Sequence, residues 1–123
     1  MYKYDYIDTI PPHLSFFEVN QGWLYLLEDT LDLKYLKVGK SSDLKQRLNR
    51  YNTVRPVPYC RFIAIAGCFE DVHTAEKKVV QHLQQKLCAV PYRKEWFLRK
   101  HQDYMLYVLE QAEKEFKTVG EIR

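Results

Sequence analysis

Tyr35-Leu36-Lys37-Val38-Gly39-Lys40-Ser41-Ser42-Asp43-Leu44-Lys45-Gln46-Arg47 decides how this chain is read. A strand runs through a glycine into a short basic helix. Just upstream stands a second strand, Gly22-Trp23-Leu24-Tyr25-Leu26-Leu27. Successive strand side chains leave opposite faces, so Trp23, Tyr25 and Leu27 share one face and Leu24 and Leu26 the other. In the second strand Tyr35, Lys37 and Gly39 stand together, opposite Leu36 and Val38. Paired as a hairpin, the two strands give one aliphatic face and one face of phenols, an ammonium and bare backbone. The second face reads as a site rather than a core.

Outward from the hairpin, the turn is expected in the polar stretch Glu28-Asp29-Thr30. Ser41, Ser42 and Asp43 are good N-cap types, so a helix starts there and runs to about Asn52. Leu44, Leu48 and Tyr51 form its buried stripe. Arg47 lies beside that stripe, one turn from both Asp43 and Tyr51. Asn52–Tyr59 carries two prolines and reads as a loop. Arg61–Gly67 is short and nearly all apolar apart from its first residue, which suits a strand covered on both faces. From about Val72 to Leu87 apolar residues recur every three or four positions, predicting a long helix. Ala89–Arg93 is a loop, and Glu95-Trp96-Phe97-Leu98 docks as a short strand or turn. A last helix, about 101 to 117, buries Met105, Val108, Leu109, Ala112 and Phe116.

The expected fold is α/β: a three-stranded antiparallel sheet flanked by helices, in the order β-β-α-β-α-(short segment)-α. Residues 1–21 form an N-terminal arm, packed over the domain by its aromatics or left as a flexible leader. Residues 22–98 are the core, and 99–123 are a C-terminal helix packed on it.

A chain of 123 residues has room for one core, and an apolar content of 46% is enough to fill it. The net charge of +3 permits a polyanionic partner without demanding one. Cys60, Cys68 and Cys88 contain no C-x-x-C pair and read as free, mostly buried thiols of a reducing compartment. With no apolar run near membrane length and no signal pattern, the chain is expected to be soluble and intracellular, in the cytoplasm or a host nucleus.

Glu76 is the oddity of the second helix. At 100° per residue it falls inside the apolar stripe, between Val72 and Leu83. Desolvating a carboxylate costs several kcal/mol, so it needs a cation, a metal or a hydrogen-bond network, unless the helix is rotated enough for it to reach solvent. His82, at the border of the stripe, reads alone as a structural histidine.

Taken together, these residues resemble the GIY-YIG nuclease family, in the small branch typical of phages and large DNA viruses, over about residues 22–98. Trp23-Leu24-Tyr25 stands at the first motif and Lys37-Val38-Gly39 at the second. Arg47, Tyr51 and Glu76 follow in the family's order, with Asn52–Pro58 and Glu95-Trp96-Phe97 as its loop and closing segment. Lys37 replaces the second motif's tyrosine, and the family's late asparagine has no counterpart; Glu95 occupies that neighbourhood.

The resemblance implies a divalent-metal-dependent endonuclease acting most readily on DNA. Glu76 would hold Mg²⁺ or Mn²⁺. Tyr25 would take a proton from water, its pKa lowered by the metal and nearby cations. Arg47 would clamp phosphate oxygens, and Lys37 would neutralise the phosphate or depress the Tyr25 pKa. Tyr35, Gly39, Tyr51 and His82 would support the site, while Lys40, Lys45, Arg50 and Arg55 would contact nucleic acid. Specificity would come from the domain itself, a homodimer or a protein partner. Two other readings stand beside this one. The fold would bind nucleic acid without cutting it, which Lys37 in place of tyrosine favours, or it would be a protein-interaction domain.

Overall fold

The computed structural model describes residues 2–3, 20–53, 59–87 and 94–119. Tyr2–Lys3 is strand β1, Gly22–Asp29 is β2 and Asp32–Ser41 is β3. Helix α1 spans Leu44–Asn52, β4 Cys60–Phe69 and α2 Val72–Lys86. Strand β5 is Trp96–Leu98, a 3-10 turn covers Arg99–His101, and α3 is Gln102–Glu115. The sheet is antiparallel throughout, in the order β1-β4-β2-β3-β5. Four strands build its body, and the two residues of β1 extend the β4 edge. Three strands were expected. The fourth is Trp96–Leu98, which hydrogen-bonds along β3, pairing Lys37 with Trp96 and Tyr35 with Leu98.

The β2–β3 hairpin is longer than its sequence suggested. The turn is Thr30-Leu31, not Glu28–Thr30, and both acidic residues belong to β2. Leu31 N–H donates to the Asp29 carboxylate at 2.9 Å, an Asx turn, and the Thr30 hydroxyl donates to the Tyr59 carbonyl. Helix α1 starts as its caps dictate: Asp43 accepts from the Gln46 N–H at 3.0 Å. Asp71 caps α2 in the same way through Thr74.

The sheet separates two cores. On one face Leu24, Leu26, Leu36, Val38, Ala64 and Ala66 meet α2 (Val72, Ala75, Val79, Leu83) and α3 (Met105, Val108, Leu109, Ala112). Each such leucine contributes about 1.5–3 kcal/mol by burial. Phe116, just past α3, packs against this core only in part. On the other face Trp23, Tyr25, Leu27, Phe62, Ile65, Cys60 and Cys68 pack beneath Leu44 and Leu48 of α1. The face expected to be a site is therefore largely a second core, because α1 folds back across it. Only its corner near β3 stays polar. Cys60 and Cys68 are buried and form no disulfide among the described residues, and Cys88 lies outside them, as do most of the arm at 1–21 and the loop at 54–58. After α3 the chain returns to β4, where Val119 N–H donates to the Cys68 carbonyl at 2.8 Å. Among the described residues no helix is long and apolar enough to cross a membrane.

Candidate nucleic-acid site

The polar corner grows from one cross-strand pair. Tyr25 of β2 faces Gly39 of β3, and the Tyr25 ring lies across the glycine backbone. A Cβ built on Gly39 would overlap Cζ and Oη of Tyr25. Gly39 thus serves the phenol, by letting it lie flat on the sheet. The ring also packs on Phe62, centroids 4.7 Å apart, and the residue is 1% exposed.

From Tyr25 a short hydrogen-bonded chain leads to the surface. The Tyr25 and Tyr51 hydroxyls are 2.8 Å apart, with the rings edge to face. Lys37 Nζ donates to Tyr51 Oη at 2.7 Å and sits 5.1 Å from that ring's centroid. Glu95, ahead of β5, holds the ammonium from its other side at 3.7 Å. Tyr51 comes from the last turn of α1, so the chain depends on where Leu44 and Leu48 seat that helix. Arg47, one turn earlier and partly buried, lends positive potential to Tyr25. Its guanidinium makes no hydrogen bond or ion pair among the described residues.

Burial raises the Tyr25 pKa well above the ordinary phenol range, and the contact with Tyr51 raises it further; Arg47 opposes both and loses. The expected depression is reversed because α1 removes the water that would solvate a phenolate. In this structure Tyr25 is a committed O–H.

Glu76 stands elsewhere. It reaches Lys40 at 3.5 Å, its side chain 15% exposed. Lys40 alternates with Leu36 and Val38 and so belongs to the α2 face of the sheet, opposite the Tyr25 corner. The two groups flank the same stretch of β3 from its two sides. The carboxylate on the apolar stripe has found a cation at the rim.

Of the other sequence candidates, Lys45 and Arg50 are exposed on α1, beside Arg47. Arg55 lies outside the described residues. Tyr35 is half-buried under Lys34, 5.6 Å from its ring, and joins neither group. His82 is also apart, bonded to the Tyr104 hydroxyl at 2.7 Å in the groove between α2 and α3.

Two features escaped the sequence reading. Glu95 was noted only for its place in the chain, yet it is the counter-ion of Lys37. Glu28 is 1% exposed and clamped between Arg61 Nε and the Arg99 guanidinium. Alternation with Leu24 and Leu26 was the signal that would have found it, had the strand been continued two residues.

Residues 22–119 match the family model of the T5orf172 domain. No curated protein and no solved structure gives a significant match. The match covers most of the chain, runs past α3 and names a family other than GIY-YIG, so the earlier resemblance is corrected. Its motifs were two or three residues each, and short motifs on a hairpin also arise from hairpin packing, as Gly39 under Tyr25 shows. The chain belongs to the T5orf172 domain family.

Proposed function

We propose that this domain acts on nucleic acid, DNA foremost, and hydrolyses its phosphodiester bonds at the corner built by Tyr51, Lys37 and Arg47. The T5orf172 domain is associated with nuclease-like and DNA-binding function. The observation that carries the reading is Arg47. A guanidinium held by a packed helix, near an ammonium and a phenol and with no hydrogen bond or ion pair among the described residues, is suited to receive an anion. Lys45 and Arg50 extend the positive surface along α1, where a phosphate backbone would lie.

Phosphodiester hydrolysis adds charge to an anion, and cations fixed before substrate arrives stabilise that charge without reorganising. Arg47 would grip non-bridging oxygens in a forked contact. Lys37, already anchored by Glu95, would face the same phosphate. The second core under α1 keeps water from the inner side of the corner.

A divalent cation is part of this proposal. Among the described residues no three His, Cys, Asp or Glu side chains converge on one point. Glu76 would be a single carboxylate ligand for Mg²⁺ or Mn²⁺, ions that keep most of their waters and add phosphate oxygens, but it lies across β3 from the Arg47 corner and is already paired with Lys40. When bound, the ion would polarise a phosphoryl oxygen.

Plasmid and oligonucleotide cleavage with Mg²⁺, Mn²⁺ or EDTA tests the reading. Cleavage is expected with either ion and is lost in EDTA. A specific observation keeps a second reading, binding without cleavage: the buried phenol is held protonated and its neighbours are already paired. Salt-sensitive DNA binding with no cleavage under any condition would establish it.

A further inference from the structure

We infer that Tyr51 is the general acid of the reaction, its phenol donating a proton to the departing oxygen of the cleaved ester. This inference rests on the hydrolase reading above and adds the residue that serves the leaving group.

The direction of the hydrogen bonds carries it. Lys37 Nζ is a donor only, so it donates to Tyr51 Oη. Tyr25 is buried, and among the described residues the one acceptor within reach of its hydroxyl is that same oxygen. Were Tyr51 to donate inward, the Tyr25 proton would be buried without a partner, which costs about 1–3 kcal/mol. Tyr25 therefore donates to Tyr51. The Tyr51 oxygen then accepts twice, and its own proton has no direction left but outward. Tyr51 is partly exposed. The groups facing it are Tyr25 from β2, Lys37 from β3, Glu95 ahead of β5 and Arg47 from its own helix.

An outward phenol O–H whose oxygen already holds two donors is suited to giving its proton away. In the step, a water oxygen bonds to phosphorus and the bond from phosphorus to the leaving oxygen breaks, its electron pair going to that oxygen. The leaving oxygen takes the Tyr51 proton, and the water sheds a proton to solvent. The resulting Tyr51 phenolate is held by the Lys37 ammonium and the Tyr25 hydroxyl until solvent returns a proton. An alkoxide is far more basic than a phenolate, so the transfer runs downhill as the bond breaks. Tyr25 is a positioning residue here. Its burial keeps it a donor throughout.

The test varies the leaving group. Oligonucleotides carry one bridging phosphorothiolate, sulfur replacing the 3′ or the 5′ oxygen at the cleaved bond, beside the all-oxygen strand. A thiolate departs without being protonated. Tyr51→Phe is expected to slow all-oxygen cleavage on the order of 100-fold, and to slow one phosphorothiolate isomer by no more than a few-fold. Lys37→Met and Tyr25→Phe, which keep the ring in place, should show weaker losses with the same sulfur rescue. Equal slowing on oxygen and sulfur substrates in all three variants would overturn the general-acid role while leaving the hydrolase reading intact. A wild type that cleaves none of the substrates would remove that reading, and this inference with it.

Discussion

Strand β2 holds two buried polar groups, Glu28 near its end and Tyr25 in its middle, and they are built to opposite rules. At one end Glu28 sits between Arg61 and Arg99, and Arg99 also donates through Nε to the Leu33 carbonyl at 2.7 Å. Charge meets charge, and the cluster ties β2, β4, the hairpin and the entry of α3 together. Three residues earlier, Tyr25 begins a chain of phenols that ends at an ammonium near solvent, with a guanidinium beside it that makes no hydrogen bond or ion pair among the described residues. A closed cluster stabilises a junction. A chain with an outward donor and a spare cation leaves capacity for a ligand. On the proposed function, satisfaction of the partners, more than burial, separates the structural polar group from the candidate site.

The sharpest way to break this comparison is to open the closed end. Glu28→Ala leaves two guanidinium groups, each about a third exposed, without the buried carboxylate between them, and because water can solvate them the cost is about 1–3 kcal/mol. Denaturant unfolding should show a loss of that size, while the folded fraction keeps its affinity for DNA. A loss under 1 kcal/mol would mean that the cluster does not hold the junction.

This is also where the sequence was least legible. Glu28 was assigned to the turn because Glu-Asp-Thr looks like one, and the arginines that neutralise it stand 33 and 71 positions away. Local propensity carries no trace of partners so distant. What could be read was what repeats locally: the alternation of β2 and β3, the Asp43 cap, the stripe of α2. Trp96–Leu98 was too short to be assigned by pattern, and only its pairing with β3 makes it a strand. At the site, Tyr25, Lys37, Gly39 and Tyr51 were legible because strand parity and helix spacing bring them together. The burial that reverses the Tyr25 pKa was not, since it depends on α1 closing over the sheet.

A gentler test sharpens the open end. With its pKa raised by burial, Tyr25 keeps its proton in the fold beyond the point where the unfolded chain, near the ordinary value of 10.0, releases it. The stability tied to that proton is full below about pH 10 and is lost as pH rises above it, because unfolding then releases a proton. Melting temperatures of the wild type should therefore fall between pH 10 and 11.5 more steeply than those of Tyr25→Phe, which keeps the packing on Phe62. Parallel curves would show that Tyr25 is solvated and that the chain to Tyr51 is not held from within.

The Arg47 corner is proposed to receive and cleave a phosphodiester. Single-turnover cleavage of a DNA duplex at saturating enzyme and Mn²⁺, wild type beside Arg47→Ala and Arg47→Lys, tests it most directly. Measurable cleavage by the wild type is expected, with a fall on the order of 100-fold in Arg47→Ala and poor recovery in Arg47→Lys because an ammonium cannot make the forked contact. An Arg47→Ala protein that cleaves as fast as the wild type would contradict the proposal.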